Sequence, residues 1–282
     1  MVAAVALGAV ALSAQAGPYV VGGASQALIS NRGGWAWDGA FLANVRTALE
    51  NPANFGPAGT VNRSIQTTTM NRVDAGSLAG VNMFVGTWIE DGQAVPMTVA
   101  VTNFFLGGGD LFLLQDDSGH DALSTSQGLS TTASTGSVSN GGAPLFHGPF
   151  GDAFDVKQFY AVGQLDGDVI AAHHGHVGGT NVEGQITSAF WAAGEYAVGA
   201  GSLFIIADID IDMVTSTPSS FCGQPVSGAS YAPLNDNGLY ALNTFAFLQD
   251  QGGTPPVPEP GTYALMLGGL AMVGWMSRRL KA

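Results

Sequence analysis

The sequence predicts an α/β fold in which a mostly parallel sheet is flanked by helices. Short apolar runs rich in aromatic and β-branched residues, such as VNMFVGTWIE and DLFLL, have the length and composition of buried strands. Segments with helical spacing of apolar residues alternate with these strands. Strands that are apolar on both faces are typical of parallel sheets with helices on each side.

The individual elements follow from local patterns. Residues 41–49 have a helical stripe that ends at Asn51-Pro52, because the residue before a proline disfavours the helical conformation. A strand is predicted over 81–88, and a helix that ends at Gly107–Gly109 precedes a strand at 111–114. The Ser/Thr/Gly-rich residues 124–151 have no periodicity and predict a long loop or an insertion with short strands. A closing helix, capped by Asn235 or Asp236, has an apolar stripe of Leu239, Leu242, Phe245, Ala246 and Leu248.

Composition restricts the function. The 282 residues are 46% hydrophobic and include 41 glycines, which fits one main domain with many turns. There are 21 acidic and 8 basic residues, and three of the basic ones are Arg278, Arg279 and Lys281 at the C-terminal tip. An acidic body with so few cations disfavours binding to nucleic acid or to anionic lipid. The single cysteine, Cys222, has no partner for an intramolecular disulfide.

The N-terminal residues resemble an export signal in their pattern. An apolar run leads to Ala14-Gln15-Ala16, the small-x-small pattern that signal peptidase recognises before Gly17. We therefore expect a signal peptide over residues 1–16. No Lys or Arg precedes Arg32, so the usual positive n-region is missing; the true start then lies elsewhere, or the signal is weak. The alternative is that this run forms a buried first strand.

The C-terminal residues predict a short transmembrane helix. Residues 261–276 carry no charge, and sixteen helical residues span about 24 Å, somewhat less than the roughly 30 Å hydrocarbon core. Arg278 and Arg279 follow, which places the tip in the cytoplasm by the positive-inside rule. The alternative, an amphipathic helix docked on the body, would need a polar face, and the segment is apolar all round.

The same tail resembles the PEP-CTERM sorting signal. The resemblance depends on Val257-Pro258-Glu259-Pro260, the apolar segment with Ala264-Leu265, and the terminal Arg278-Arg279. It implies export through the general secretion machinery of a Gram-negative bacterium that makes extracellular polysaccharide. It also implies a transient inner-membrane anchor, cleavage near the triplet by an exosortase, and release or attachment at the cell surface. Two prolines keep the cleavage site extended and separate from the helix.

The expected organisation has four parts: a signal peptide (1–16), an α/β extracytoplasmic domain (17–252), a Pro-rich linker with the PEP motif (253–260), and a sorting helix with its basic tip (261–282). The domain resembles the flavodoxin-like fold of class I glutamine amidotransferases and their trehalose-utilisation-like relatives. Strand 81–88, Gly108-Gly109-Asp110-Leu111, and Asp236-Asn237 before a final helix with Asn243 carry this resemblance.

That resemblance implies a Cys or Ser nucleophile on a sharp strand-to-helix turn, assisted by a His. The turn needs small residues two positions either side of the nucleophile. Ser118 has Asp116 and His120 there, and Cys222 lies in a Pro/Ser-rich loop with no preceding strand. We therefore predict no catalytic residue, and a domain that keeps the fold without the reaction.

A metal site is the other chemical candidate. His173 and His176 would share a metal ion such as zinc if a carboxylate such as Asp121 or Asp168 lay beside them. The alternative, which we favour, is that the imidazoles end a strand and hydrogen-bond to backbone groups, so that no cofactor is bound.

The segment ADIDID places Asp208, Asp210 and Asp212 on one face of a strand. It is not an EF-hand loop, because Met213 and Ser219 stand where that loop needs Gly and Glu. We expect a solvated acidic face here and at Asp116 and Asp117, and a calcium site is the alternative.

Two functions remain open. The first is a non-catalytic surface or matrix protein associated with exopolysaccharide or biofilm. The second is a secreted hydrolase or metal-dependent enzyme acting on glycans or amides, with Ser118, His120 or the His173–His176 cluster in its site.

Overall fold

The computed structural model describes residues 17–28, 33–87, 89, 95–115, 119–158, 162–209 and 236–251. The predicted signal peptide, the PEP linker, the sorting helix, Ser118 and Cys222 lie outside the described residues. Within them, no helix combines the length and hydrophobicity needed to cross a bilayer.

The described helices are α1 (Ala43–Glu50), α2 (Val95–Leu106), α3 (Ala122–Thr125), α4 (Gly167–Ala172) and α5 (Asp236–Gln251), with short 3-10 turns at Gly33–Trp35 and Ala40–Leu42. The strands are β1 (Tyr19–Ala24), β2 (Ile65–Met70), β3 (Met83–Gly86), β4 (Asp110–Gln115), β5 (Thr131–Ala133), β6 (Val138–Asn140), β7 (His147–Gly148), β8 (Gly151–Asp152), β9 (Val156–Lys157), β10 (Gly163–Leu165), β11 (His176–Asn181), β12 (Ile186–Trp191) and β13 (Leu203–Ala207). The predicted α1, α2 and α5 and the strands now named β3 and β4 are confirmed.

One half of the main sheet is parallel, in the order β2-β1-β3-β4-β13. Gly23 of β1 is level with Val85 of β3, and Val85 is level with Phe112 of β4. The chain leaves β1 to one side to form β2, and then returns across β1 to form β3. The gap between β1 and β3 is therefore a topological switch point, where open α/β sheets present a crevice at the carboxyl ends of their strands.

The other half of the sheet is antiparallel, which corrects the expectation of a mostly parallel sheet. It continues β13-β12-β11-β6-β9, and β10 pairs with both β12 and β5. A parallel return needs a crossover of a dozen or more residues, usually a helix. Between β4 and β13 the described chain offers only the short α3 and α4, so its strands reverse through tight connections. The fold is α/β with a large mixed sheet.

Helix α5 packs on the parallel half through aromatic rings. Phe245 stacks on Phe112 of β4 with 4.3 Å between ring centroids and 8° between planes, and Phe112 contacts Phe204 of β13 at 4.8 Å. On the opposite face, Gly86 of β3 lies under Leu123 of α3, since a methyl group at Gly86 would come within 2.3 Å of that side chain. Helices thus cover both faces of the parallel half.

Helix α5 also holds the insertion. The side-chain amide of Asn237 accepts from the Lys157 N–H (2.8 Å) and donates to the Lys157 carbonyl (2.9 Å). Asn243 in the same way accepts from Phe150 N–H (3.0 Å) and donates to the Gly151 carbonyl (2.9 Å). These two asparagines, which carried part of the amidotransferase resemblance, join the closing helix to the end of the Ser/Thr/Gly-rich region and to β9 just beyond it.

A buried polar cluster lies at the amino ends of the parallel strands. Asp110 is 1% exposed and accepts hydrogen bonds from the Tyr19 hydroxyl, the Ser202 N–H (2.8 Å) and the Ser202 hydroxyl (2.7 Å). The Arg63 guanidinium lies 4.7 Å from the centre of the Tyr19 ring. Nearby, Gly201 approaches β4 so closely that a Cβ atom would be 2.1 Å from the Gly109 carbonyl oxygen.

Candidate functional site

Polar residues cluster at the carboxyl ends of the parallel strands, on both sides of the switch point. Ser25 follows β1, Thr87 follows β3, and Gln115 ends β4. The register that pairs Gly23 with Val85 places Ser25 beside Thr87. The side-chain NH₂ of Gln115 lies 3.5 Å from the Thr87 carbonyl, so these residues form a continuous row along the edge.

Trp37 lies against this row. Its backbone N–H donates to the Ala24 carbonyl at 3.0 Å, and its side-chain Cβ and Cγ stand where a side chain at Gly23 would be. The guanidinium of Arg46 donates to the Trp37 and Gly39 carbonyls and so fixes the turn that carries the indole. Burial lowers the pKa of Arg46, although the group remains a cation near neutral pH.

Four polar atoms of this edge are buried and have no hydrogen-bond partner among the residues that the structure describes. They are the hydroxyls of Ser25 and Thr87, the Trp37 indole N–H and the Gln115 side-chain oxygen. Their residues are at most 2% exposed. Buried polar atoms almost always have a partner in the protein or in bound water, so each atom is a place for water or for a polar ligand. The four are uncharged and include no acid or base that titrates near neutral pH, so they are suited to binding rather than to proton transfer.

The carboxylate that was considered as a metal ligand, Asp121, has structural partners instead. His120 and Asp121 follow β4, and Asp121 bridges to Ile89 beyond the end of β3. The Asp121 carboxylate is buried and accepts from the Thr125 hydroxyl (2.9 Å), the Thr131 N–H (2.6 Å) and the Thr131 hydroxyl (3.0 Å). Both of its oxygens therefore anchor the α3–β5 segment.

The two histidines considered as metal ligands, His173 and His176, have separate partners. His173 caps the C-terminal end of α4 and stacks on the Tyr196 ring at 4.7 Å, while its carbonyl accepts from the Trp191 indole at 2.9 Å. His176 begins β11 and bonds to the Glu195 carboxylate at 3.0 Å. Among the described residues, no group of three or more His, Cys, Asp or Glu side chains is placed to hold a metal ion.

Asp208 corrects the expectation of a solvated acidic face. Strand β13 ends at Ala207, and Asp208 and Ile209 immediately beyond it are buried, at 0% and 1% exposure. Asp208 thus brings a carboxylate to the edge of the sheet where the parallel strands end. Burying a carboxylate without hydrogen-bond or ionic partners has a high free-energy cost. Asp116, Asp117, Asp210 and Asp212 lie outside the described residues.

The sequence reasoning missed the uncharged row at this edge. A signal was available for Ser25, Thr87 and Gln115, because each comes at or just after the end of a predicted or observed parallel strand. Trp37 had no such signal, since only the tertiary packing of its turn on β1 brings it there.

An acidic α/β body followed by a Pro-Glu-Pro triplet, an apolar segment and a basic tip is the organisation of an exported protein with a C-terminal sorting signal. Residues 256–280 match the family model described as the PEP-CTERM protein-sorting motif. The chain therefore carries this motif, which marks it as an exported protein that is anchored transiently and processed by an exosortase.

Similarity elsewhere is distant. A solved structure described as mmIFT52 N-terminal domain resembles the body with a TM-score of 0.45 and 12% sequence identity, covering 82% of this chain and 97% of the other. No curated protein matches the chain in sequence.

Proposed function

We propose that this protein is delivered by its sorting signal to the cell surface or extracellular matrix, where a non-catalytic body associates with exopolysaccharide. The match of residues 256–280 to the PEP-CTERM motif carries the proposal. The motif begins five residues after α5 ends at Gln251, so the folded body leads almost directly into the signal. In this scheme the signal peptide is cleaved between Ala16 and Gly17.

The membrane has a temporary role. Residues 261–276 hold the exported chain in the inner membrane, and Arg278 and Arg279 keep the tip on the cytoplasmic side. The exosortase then cuts near Pro258-Glu259-Pro260 and frees the body from this anchor. The short apolar segment suits such a temporary anchor, because a marginal span is held less firmly than a full-length one.

The contacts of the candidate catalytic groups support a non-catalytic body. Asp121 anchors a turn, His173 is stacked on an aromatic ring, and His176 is paired with Glu195. The net charge of −13 supports a partner that is neither nucleic acid nor an anionic membrane. A neutral, hydroxyl-rich polysaccharide has no such electrostatic conflict with the body.

The second candidate, a secreted hydrolase acting on glycans or amides, is favoured by one observation. The four buried polar atoms without a partner among the described residues lie at the edge of the sheet where α/β proteins place their ligands, and His120 follows β4 at the same edge. Release of product from polysaccharide by the purified body, abolished in His120→Ala, would establish this function in place of the first.

The sorting step is tested by replacing Pro258, Glu259 and Pro260 with alanine. Without the two prolines the helix can extend through the cleavage site, so the protease loses its extended substrate. We expect a folded body that keeps its C-terminal segment, detected by intact mass spectrometry of the cell fractions. A control with alanine at Thr254 and Pro255, outside the matched motif, should be trimmed normally. Normal trimming of the triple variant would overturn the proposed role of the triplet.

A further inference from the structure

A pocket of about 320 Å³ lies between the start of β5 and the start of α4. This volume is at the lower end of the range for small-molecule sites. Its apolar floor consists of Leu129, Leu165 and Ile170, which are all at least 94% buried, and of Val169, which is partly buried. The pocket lies in the antiparallel half, apart from the row of unpartnered atoms at the carboxyl edge.

The rim of the pocket is polar. The hydroxyls of Ser130 and Thr132 lie on it, are exposed, and make no hydrogen bond within the described part of the chain. Gln164 uses its NH₂ group to donate to the Ala133 carbonyl at 2.9 Å, which leaves its side-chain oxygen available. Asp166 caps α4 by accepting from the Asp168 N–H at 2.8 Å, which leaves its second oxygen available.

The groups that line the pocket exclude several kinds of ligand. None of the lining residues is a cation, so a phosphate or uronate would find no opposite charge. One carboxylate is too few for a calcium ion, which takes six to eight oxygen ligands. None of the lining residues is aromatic, so a nucleobase would have no ring to stack on. What remains is a neutral ligand that has an apolar face and several hydroxyls.

The walls of the pocket are fixed by neighbouring contacts. Thr132 of β5 pairs with Gln164 of β10, which sets the distance between two rim groups. The Asp121 carboxylate holds Thr131, the residue beside Thr132, through its N–H and its hydroxyl. The Tyr196 hydroxyl donates to the Gln127 carbonyl at 2.7 Å just before the floor begins. A ligand would therefore lose little binding free energy to ordering of the site.

We propose that this pocket binds one sugar unit of a neutral polysaccharide, with the C–H face of the ring on the apolar floor and the sugar hydroxyls bonded to the rim. The assignment of the natural source rests on the proposed association with exopolysaccharide. The carboxylate of Asp166 and the oxygen of Gln164 accept from sugar hydroxyls, while Ser130 and Thr132 both donate and accept.

The test uses the processed protein and neutral hexasaccharides of glucose, galactose and mannose, with an oligogalacturonate as the anionic comparison. Calorimetric titration should show binding of at least one neutral hexasaccharide and weaker binding of the oligogalacturonate. Val169→Trp, which fills the pocket, should weaken that binding by about tenfold or more, equivalent to about 1.4 kcal/mol. The control Val99→Trp, at a 58% exposed position on α2, should leave it unchanged.

A second variant protects the test against misfolding of Val169→Trp. Ser130→Ala combined with Thr132→Val removes both exposed rim hydroxyls with little change in volume, and should weaken binding by severalfold. The inference is overturned if no neutral hexasaccharide binds, if the oligogalacturonate binds better, or if neither pocket variant weakens binding.

Failure of the pocket and failure of the proposed function are distinguishable. Co-sedimentation of the unmodified protein with the organism's own polysaccharide measures the function alone. If the pocket variants still co-sediment with the polysaccharide, the proposed pocket is rejected and the proposed function is supported. If the pocket variants lose hexasaccharide binding, but the unmodified protein does not co-sediment with the polysaccharide, the pocket is supported and the proposed function is rejected.

Discussion

Replacing Asp110 with alanine tests the buried cluster at the amino ends of the strands. The substitution removes the acceptor of the Tyr19 hydroxyl and of the Ser202 N–H, both inside the protein. The Ser202 hydroxyl keeps a second acceptor, the Leu248 carbonyl at 3.3 Å. A buried donor left without an acceptor costs about 1–3 kcal/mol, and relief of the buried charge offsets part of this cost, so we expect a loss of about 2–4 kcal/mol in the free energy of unfolding.

The assay is urea denaturation of the processed protein at neutral pH. Asp110→Asn should lose only about 1 kcal/mol, because its carbonyl accepts from Ser202 while its NH₂ donates to the Tyr19 oxygen. Asp152→Ala, at an exposed carboxylate paired with His147, should change stability by about 0.5 kcal/mol or less. Equal losses for Asp110→Ala and Asp152→Ala would refute the energetic importance of the cluster.

The pH dependence of stability gives an independent check. Burial raises the pKa of Asp110 above 3.8, and the hydrogen bonds from Tyr19 and Ser202 only partly oppose it. The folded state then binds a proton more tightly than the unfolded chain, so this group lowers stability as pH rises from 3.8 through its folded pKa. Subtracting the profile of Asp110→Asn from that of the unmodified protein should show this fall. A rise over the same interval would contradict the burial argument.

Three further outcomes are expected. Gly201→Ala should destabilise the protein by several kcal/mol or prevent folding, because its Cβ would overlap a backbone oxygen. The control Gly142→Ala has open space around the new Cβ and should be tolerated. Equal melting temperatures for the two variants would contradict this prediction. Phe245→Ala should cost about 3–5 kcal/mol in denaturation, since it leaves a cavity between α5 and the sheet. Burial would raise the pKa of Glu195, but hydrogen bonds from His176 and a backbone N–H outweigh it and lower this pKa. His176→Ala should therefore reduce the free energy of unfolding by about 0.5 kcal/mol or less near neutral pH, and this loss should disappear as pH falls through the folded pKa of Glu195. If elemental analysis instead shows that the variant has lost a bound metal, the metal site would be supported.

Sequence patterns predicted the long elements and failed on the short ones. Helix α1, helix α2 and strand β4 have enough residues for a period or a run of apolar side chains to be visible. The antiparallel half uses strands such as β5 and β9, of three and two residues, which are too short to show a pattern. Their direction is decided by the absence of a crossover helix, which is a property of the whole chain rather than of any segment.

Site prediction from sequence had a similar limit. His173, His176 and Asp121 were singled out by residue type, but tertiary contacts give each of them a separate structural partner. The buried position of Asp208 was hidden because alternation of Asp and Ile looks the same in an exposed strand and at the covered edge of a sheet. The sorting tail was predictable because its signal is read as a linear sequence.

The position of α5 determines how the body would respond to a pulling force. If the processed protein is attached to the cell surface through its C-terminal end, tension enters the body at Gln251 and acts first on this helix. The stacking of Phe245 on β4 and the hydrogen bonds of Asn237 and Asn243 would distribute the force between both halves of the sheet. Detaching the helix would expose the aromatic centre of the body, so the mechanical strength of the attached protein depends on this one element.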